Sequence, residues 1–416
     1  MKNKLKKISF CSVLISLLLL LTISSSEVNS LPVEDIFNSD FDTEVANRME
    51  GAHIPSCAIG VINDTEVVFE KGYGDQLELN TVYPLASLNK PLAAVAILHL
   101  YDEGIIDLDE DINTYLHYII RNPYYPDTPI TCKMLLSMCA TINDRNSLVY
   151  ADIVFNHTTA YPDYICELLN ENGSLYSADI WNNLLPGSSF AYSTLSFDIL
   201  VHILQLQTSK TYEQYLKENF LTPLGMTNTK GNWSDYNPTQ CAIPHAWNHD
   251  TSQLEQLDFI QLNHPQDFKT TVQDFSHFVI MLINKGIYGS ERILEEATVN
   301  LMLQEQRNGY GLGLYVNLDF QSIGKSGFKG HYGFGPGFVV NFAFKITNKI
   351  GTIFFSNQCD KEFESLPSIM QFYQYVVNES LRLLEENGTE ENSFAFLTLN
   401  LGIVFLGILI FRRRRK

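Results

Sequence analysis

The sequence predicts an α+β fold: one antiparallel sheet flanked by helices, with a helical insertion subdomain. Three observations carry that expectation. Strand-like runs cluster at the two ends of the chain's middle region, "SCAIGVINDTEVVFEKGYG" early and "GYGLGLYVNL", "GHYGFGPGFVVNFAFKIT" and "KIGTIFFSNQ" late. Between them, residues 105–310 read as helical pieces and loops. The chain has 416 residues and 45% hydrophobic content, enough to bury a sizeable core. A sheet built from two chain ends with helices between them is an α+β layout.

The elements follow in order. "MKNKLKKISFCSVLISLLLLLTISSSEVNS" (residues 1–30) places basic residues before an apolar run and then small polar residues, the layout of a secretory signal, with cleavage expected after Ser26 or Ser30. An uncleaved anchor is the alternative. Residues 31–375 are expected to fold, beginning with the helical "FDTEVANRMEGAHIP". Two strands then flank an Asn-Asp turn. The stretch "SLNKPLAAVAILHLYDEG" reads as an amphipathic helix from Ser87, stopped by Gly104. A last helix, "LPSIMQFYQYVVNESLRLLEEN", leads into the polar stalk "GTEENS", the helix end and stalk together covering 376–393. Residues 394–411 hold no charge and would span about 27 Å as a helix, close to a bilayer core. The basic tail 412–416 would then stay cytoplasmic. These features predict a cell-surface protein held by one C-terminal span, or one whose tail is exchanged for a lipid.

Composition excludes some partners. Setting aside four N-terminal lysines and five C-terminal basic residues leaves 19 basic against 47 acidic residues. So acidic a body repels nucleic acid and anionic membrane surfaces. Six N-x-S/T sequons, at Asn63, Asn156, Asn172, Asn232, Asn378 and Asn387, suggest glycosylated surface loops. Beyond Cys11, six cysteines remain (Cys57, Cys132, Cys139, Cys166, Cys241, Cys359). They allow fifteen pairings, or none if they are buried thiols. His245 and His249 stand four apart but lack a third ligand, and the acidic turn "DLDEDI" lacks a calcium-loop pattern. No metal or cofactor is expected.

Chemistry concentrates at Ser87 and Lys90. A surface helix start favours an acid three residues after its serine, completing a capping box. A lysine there opposes the helix dipole by some tenths of a kcal/mol. Ser87 and Lys90 share a helix face. The dipole favours a developing alkoxide, the serine's own N–H can help hold an oxyanion, and a partly desolvated lysine can serve as base. Pro91 is tolerated in the first turn. An N-cap serine beside a surface lysine is the plain alternative.

An ordered set of further motifs decides between these readings. The chain resembles the serine β-lactamase and penicillin-binding-protein-like hydrolases, specifically the class C, D-alanyl-D-alanine carboxypeptidase and family VIII esterase branch. The resemblance rests on "IPSCAIGVINDTEVVFEKGYG", "YPLASLNKPLAAVAILHLYDEGIIDLDEDINTYL", "ITCKMLLSM", "PGSSFAYSTLSFDILVHILQ", "LTPLGMTNT", "MLINKGIYGSERILEEATVNLML", "YGLGLYV" and "GHYGFGPGF", over roughly residues 40–375. It implies a β-lactamase/transpeptidase-like fold and a cofactor-free serine hydrolase acting on a small-molecule or peptide substrate. Ser87 would be the acylated nucleophile and Lys90 its base partner. Tyr192 would help move the proton. His331 and Gly333 would line the site from a strand, and the N–H of Phe334 would be the second oxyanion donor.

Three departures bear on substrate. Thr194 stands where the family has asparagine in its second motif, and a threonine reaches less far than an amide. That tilts the expectation toward esters or unusual peptides. "MCATI" replaces the family's His-Thr-Ser-Gly-Leu element, and residues 143–185 read as a variable cover. The same departures motivate a second reading, a catalytically inactive ligand-binding ectodomain of the same fold. Retention of Ser87 and Lys90 speaks against it.

Overall fold

The computed structural model describes residues 37–385, apart from 76–77, 145–146 and 321–324. The compact unit that concerns the candidate site is Asp42–Arg382. Its sheet has six strands: β1 (Ser56–Asn63), β2 (Glu66–Gly74), β3 (Tyr315–Phe320), β4 (Lys325–Gly335), β5 (Phe338–Lys345) and β6 (Ile350–Ser356). They lie in the order β2-β1-β6-β5-β4-β3, with every neighbouring pair antiparallel. The two chain ends meet where β1 pairs with β6, from Cys57 opposite Ser356 to Asn63 opposite Ile350. This is the expected sheet.

One sequence expectation needed splitting. The run "GHYGFGPGFVVNFAFKIT" is two strands, β4 and β5, joined at Pro336 and Gly337. Proline cannot donate to the ladder. Gly337 turns the chain at φ +88°, where a Cβ would also sit 2.3 Å from Pro244 Cβ.

Side chains on a strand alternate between faces, and β6 shows how that builds layers. Phe355 meets Phe275 at 5.8 Å between ring centroids, while its neighbour Phe354 meets Phe372 at 4.9 Å. Phe275 belongs to the helix Val272–Ile283 and Phe372 to a helix over 366–385. Helices therefore cover both faces of the sheet.

The helix Asn89–Asp102 departs from the amphipathic reading. Every residue from Asn89 to Leu98 is buried. A helix apolar all round is a central helix, and this one packs against the helix Leu195–Thr208 inside the helical part of the fold. Its beginning is therefore held on all sides, which suits it to carry a precisely placed side chain.

The localisation expected from the sequence is corrected. Among the described residues, no helix is long and apolar enough to cross a membrane. The expected leader (1–30), span (394–411) and basic tail (412–416) lie outside the described residues, so a single-pass surface protein with a cytoplasmic C-terminus, attached through one C-terminal helix, has no structural support. The cysteines also take the thiol alternative: no disulfide joins the six among the described residues, and burial raises the thiol pKa of Cys132 to about 12. Of the sequons, Asn63, Asn156, Asn172 and Asn232 are exposed, but Asn378 is half-buried on a helix rather than on a loop.

Candidate active site

Ser87 lies in a single 3₁₀ turn, Ala86–Leu88, immediately before the helix Asn89–Asp102. It therefore precedes the α-helix instead of capping it. Ala86 has φ +44°, a costly conformation for a residue with a Cβ. The turn is pinned by Asn89, whose Nδ2 donates to Ala86 O at 2.9 Å while its Oδ1 accepts the Phe268 N–H at 3.2 Å. Ser87 is half-buried, and Lys90 one turn on is 3% exposed. Lys90 Nζ donates to Ser87 Oγ at 3.4 Å. The expected shared face is present.

Tyr192 stands over the same lysine, its ring centroid 5.0 Å from Lys90 Nζ. The ring also packs 6.2 Å from that of His331. Thr194 follows at the start of the helix Leu195–Thr208, half-buried, with its carbonyl accepting the Phe197 N–H. Ser87, Lys90 and Thr194 line one cleft of about 340 Å³. Tyr192 meets the cleft chemistry through Lys90.

Strand β4 closes the other side. Gly333 has no room for a side chain: a Cβ would stand 2.8 Å from Val340 Cγ2 and 3.0 Å from Leu85 O, in the turn that carries Ser87. Glycine there lets the strand backbone approach the serine turn closely. Phe334 lines the cleft and is 42% exposed.

His331 differs from the expectation. It is 1% exposed and is not part of the cleft lining; it lies behind Tyr192 as a buttress. Its Nδ1 contacts the Tyr332 carbonyl at 2.7 Å, and its Nε2 lies 3.2 Å from the Tyr310 hydroxyl. A carbonyl only accepts, so Nδ1 carries the hydrogen and Nε2 accepts from Tyr310. Burial, then the nearby Lys90 cation, lowers its pKa to about 3. The imidazole is neutral at physiological pH and cannot attract an anion by charge.

Sequence reasoning missed several cleft residues. Asp144 is 4% exposed; its Oδ2 accepts the Leu195 N–H at 2.7 Å and Oδ1 accepts no hydrogen bond. Burial raises its pKa, against the Leu195 N–H and the Lys90 charge. Behind the cleft, Asp198 accepts from Tyr150 Oη at 2.7 Å, Tyr164 Oη at 2.8 Å and Gln266 Nε2 at 2.9 Å. Its pKa is pushed up to about 6 by burial, which those three donors only partly offset. His264 lines the cleft too, its Nδ1 accepting the Gln266 N–H at 3.2 Å. Burial and the Lys90 and Lys269 charges lower its pKa to about 3. No local spacing marks these residues. They come from segments brought together only by the fold.

The far rim is tied by a buried ion pair. Lys269 Nζ donates to Asp267 Oδ2 at 2.9 Å, Asp267 O at 2.6 Å, Gly231 O at 2.7 Å and Gln261 Oε1 at 3.0 Å. Asp267 Oδ2 also accepts the Leu262 N–H and Gln261 Nε2. Burial shifts both partners toward their neutral forms, lowering the lysine and raising the aspartate, and each opposes the other's shift. Trp233 lies over this knot, 5.3 Å from Lys269 Nζ to the ring centroid.

Comparison with known proteins identifies the family and the fold. The family model described as Beta-lactamase matches residues 41–368. The chain belongs to the beta-lactamase family. Among curated proteins, the chain is similar to Protein flp of Staphylococcus aureus (strain MRSA252), 25% identical over 298 residues, covering 69% of this chain and 57% of flp. The chain thus spans little more than half the length of the curated relatives it matches first. Among solved structures, the octameric penicillin-binding protein homologue from Pyrococcus abyssi aligns with a TM-score of 0.64 at 21% identity, covering 83% of this chain and 77% of that one. The D-amino acid amidase from Ochrobactrum anthropi SV3 aligns at 0.63 and 17% identity, covering 82% and 99%. At such identities these two establish the beta-lactamase family fold and no more.

Proposed function

We propose that this chain is a serine hydrolase that works through an acyl-enzyme on Ser87. The observation that carries the proposal is Lys90 Nζ at 3.4 Å from Ser87 Oγ, on the floor of a cleft with Tyr192 stacked against the lysine. Catalytic hydrogen bonds are commonly long before substrate arrives. Ser87 Oγ adds to the carbonyl carbon of an ester or amide while its proton passes to Lys90 Nζ. The backbone N–H groups of Ser87 and Phe334 receive the developing oxyanion. The carbonyl–heteroatom bond then breaks, and the leaving alcohol or amine takes the proton, relayed through the Tyr192 hydroxyl. Water repeats the cycle on the Ser87 ester and releases a carboxylic acid. No cofactor enters these steps. Thr194 replaces an amide that would grip a peptide group, which favours esters over amides, although the neighbouring fold of a D-amino acid amidase keeps amides within the class.

The test is covalent. A fluorophosphonate should label the folded protein, and mass spectrometry should place the adduct on Ser87. Ser87→Ala should remove the label without lowering the melting temperature. Labelling of the alanine variant at the wild-type rate would sink the proposal. A folded protein with no adduct would favour the ligand-binding reading, which the Thr194 departure motivates.

A further inference from the structure

The cleft has a second property, independent of its nucleophile. One wall is apolar and stays apolar because its amphipathic side chains turn their polar ends away. Trp233 donates its single indole N–H to Ile260 O at 3.0 Å. Tyr150 donates its hydroxyl to the buried Asp198. What they present to the cleft is ring surface, joined by Val154 and by Phe338 of β5, on which Trp233 stacks at 6.3 Å. At the mouth, Phe155 is 52% exposed and Ile260 41%. Leaving such side chains in water forgoes about 25 cal/mol for each Å² of apolar surface that could be covered. Contiguous exposed apolar surface around a cleft marks a binding site.

Charge narrows the occupant. Among the described residues lining the cleft, Lys90 is the only lysine or arginine. Asp144 and Asp258 line it as acidic side chains, and Asp267 is occupied by Lys269. An anionic group would meet acidic side chains and find no cation among these lining residues apart from the one the chemistry uses. We propose that this wall is an acyl subsite for an uncharged, unbranched aliphatic chain, so that the substrate class is esters of medium-chain fatty acids. This rests on the acyl-enzyme reading above: the chain joined to Ser87 lies along Trp233 and Tyr150 and leaves past Phe155 and Ile260. Substrates with a carboxylate on the acyl end are disfavoured.

The experiment uses the full chain with p-nitrophenyl acetate, butyrate, hexanoate and octanoate, and a parallel series ending in a carboxylate. Each buried methylene contributes about 0.8 kcal/mol. Between acetate and hexanoate kcat/KM should therefore rise by at least about tenfold. The carboxylate-ended ester should fall at least about tenfold below the neutral ester of equal length. Trp233→Ala should flatten the ladder. Phe155→Ala, at an exposed position that folding does not depend on, should flatten its upper end. A flat wild-type ladder, or preference for the carboxylate series, overturns the inference. So does a ladder seen only when the alcohol is lengthened on a constant acetyl group.

Fluorophosphonate labelling of Ser87 keeps the two readings apart. An adduct with a flat ladder removes the acyl subsite and leaves the hydrolase. Without an adduct the hydrolase reading fails, and calorimetry with acetamide and hexanamide decides the subsite. Tighter hexanamide binding that Trp233→Ala abolishes supports it, and equal binding refutes it.

Discussion

The two sides of the cleft are built differently. On the β4 side, position is set by backbone packing: Gly333 brings the strand against Leu85 O, and the His331 ring is locked behind Tyr192 by a carbonyl and a phenol. On the other side, the segments 231–233 and 258–267, which reach the β4–β5 turn where Trp233 stacks on Phe338, form little regular structure. They are held by one buried ion pair with its hydrogen bonds, and they turn apolar side chains outward. The contrast assigns reaction geometry to the close-packed wall and selectivity to the pinned one. Sub-ångström placement needs a rigid frame. A selectivity wall needs surface to offer, and its loops can vary without moving the nucleophile.

Breaking the pinned wall should show the largest effect on stability. In Asp267→Asn, Lys269 keeps its carbonyl acceptors but loses its counter-charge in a site where it is 0% exposed. Removing one partner of a buried pair costs about 3–5 kcal/mol. Urea unfolding should show that loss. Fluorophosphonate labelling per folded molecule should stay near wild type, because Phe268 holds the serine turn on this side through backbone bonds, its N–H to Asn89 Oδ1 and its carbonyl to the Leu85 N–H, that the substitution leaves in place. A large drop in labelling at full folding would show that the walls are not separable.

Gly333→Ala attacks the packed wall. A Cβ there stands 2.8 Å from Val340 Cγ2 and 3.0 Å from Leu85 O, so the strand or the serine turn must shift. Overpacking of this kind costs about 1–3 kcal/mol. The effect on chemistry should be larger: labelling of Ser87 should slow by at least about a hundredfold, as expected when a reacting group is misplaced by about an ångström. Wild-type labelling in this variant would mean that β4 does not set the geometry.

The contrast also explains how much the sequence disclosed. The antiparallel sheet, the strand pairs at the two chain ends and the Ser87–Lys90 pair are written in local patterns: alternation, a turn, a spacing of three. Gly333 was legible as part of a motif, though its close approach to Leu85 was not. The burial of the Asn89–Asp102 helix was hidden, because its few polar residues gave an amphipathic appearance while the fold covered every side. His331 was expected to line the site from its strand but is buried behind Tyr192, since strand register alone does not tell which neighbour fills the space in front. Asp144, Asp198, His264, Trp233 and the Lys269–Asp267 pair were invisible. Each comes to line or support the cleft only through contacts made across long stretches of chain, as when Gln266 reaches Asp198. The single-pass localisation read from the termini drew on residues 1–30 and 394–416, outside the described structure, and the described helices give it no support.

The smallest expected effect lies between the walls, at Asp198, which ties Tyr150 of the cleft to Gln266. Its folded pKa, about 6, stands above the ordinary carboxylate value. The folded protein therefore holds this proton more tightly than the unfolded chain does. The stabilisation is fully present below the unfolded pKa, near 4, and is lost as pH rises through about 6. Asp198→Asn removes the titration while keeping the shape, so the variant should gain on the wild type as pH goes from 4 to 7. Melting temperatures of the two proteins across that range measure the difference directly. If the curves run parallel, Asp198 ionises equally in both states, and its three donors compensate burial in full. If they converge or cross, the carboxylate is the point where acidity tightens the selective wall, and Ser87 labelling measured alongside should remain constant because the bonds from Phe268 that hold the serine turn do not involve Asp198.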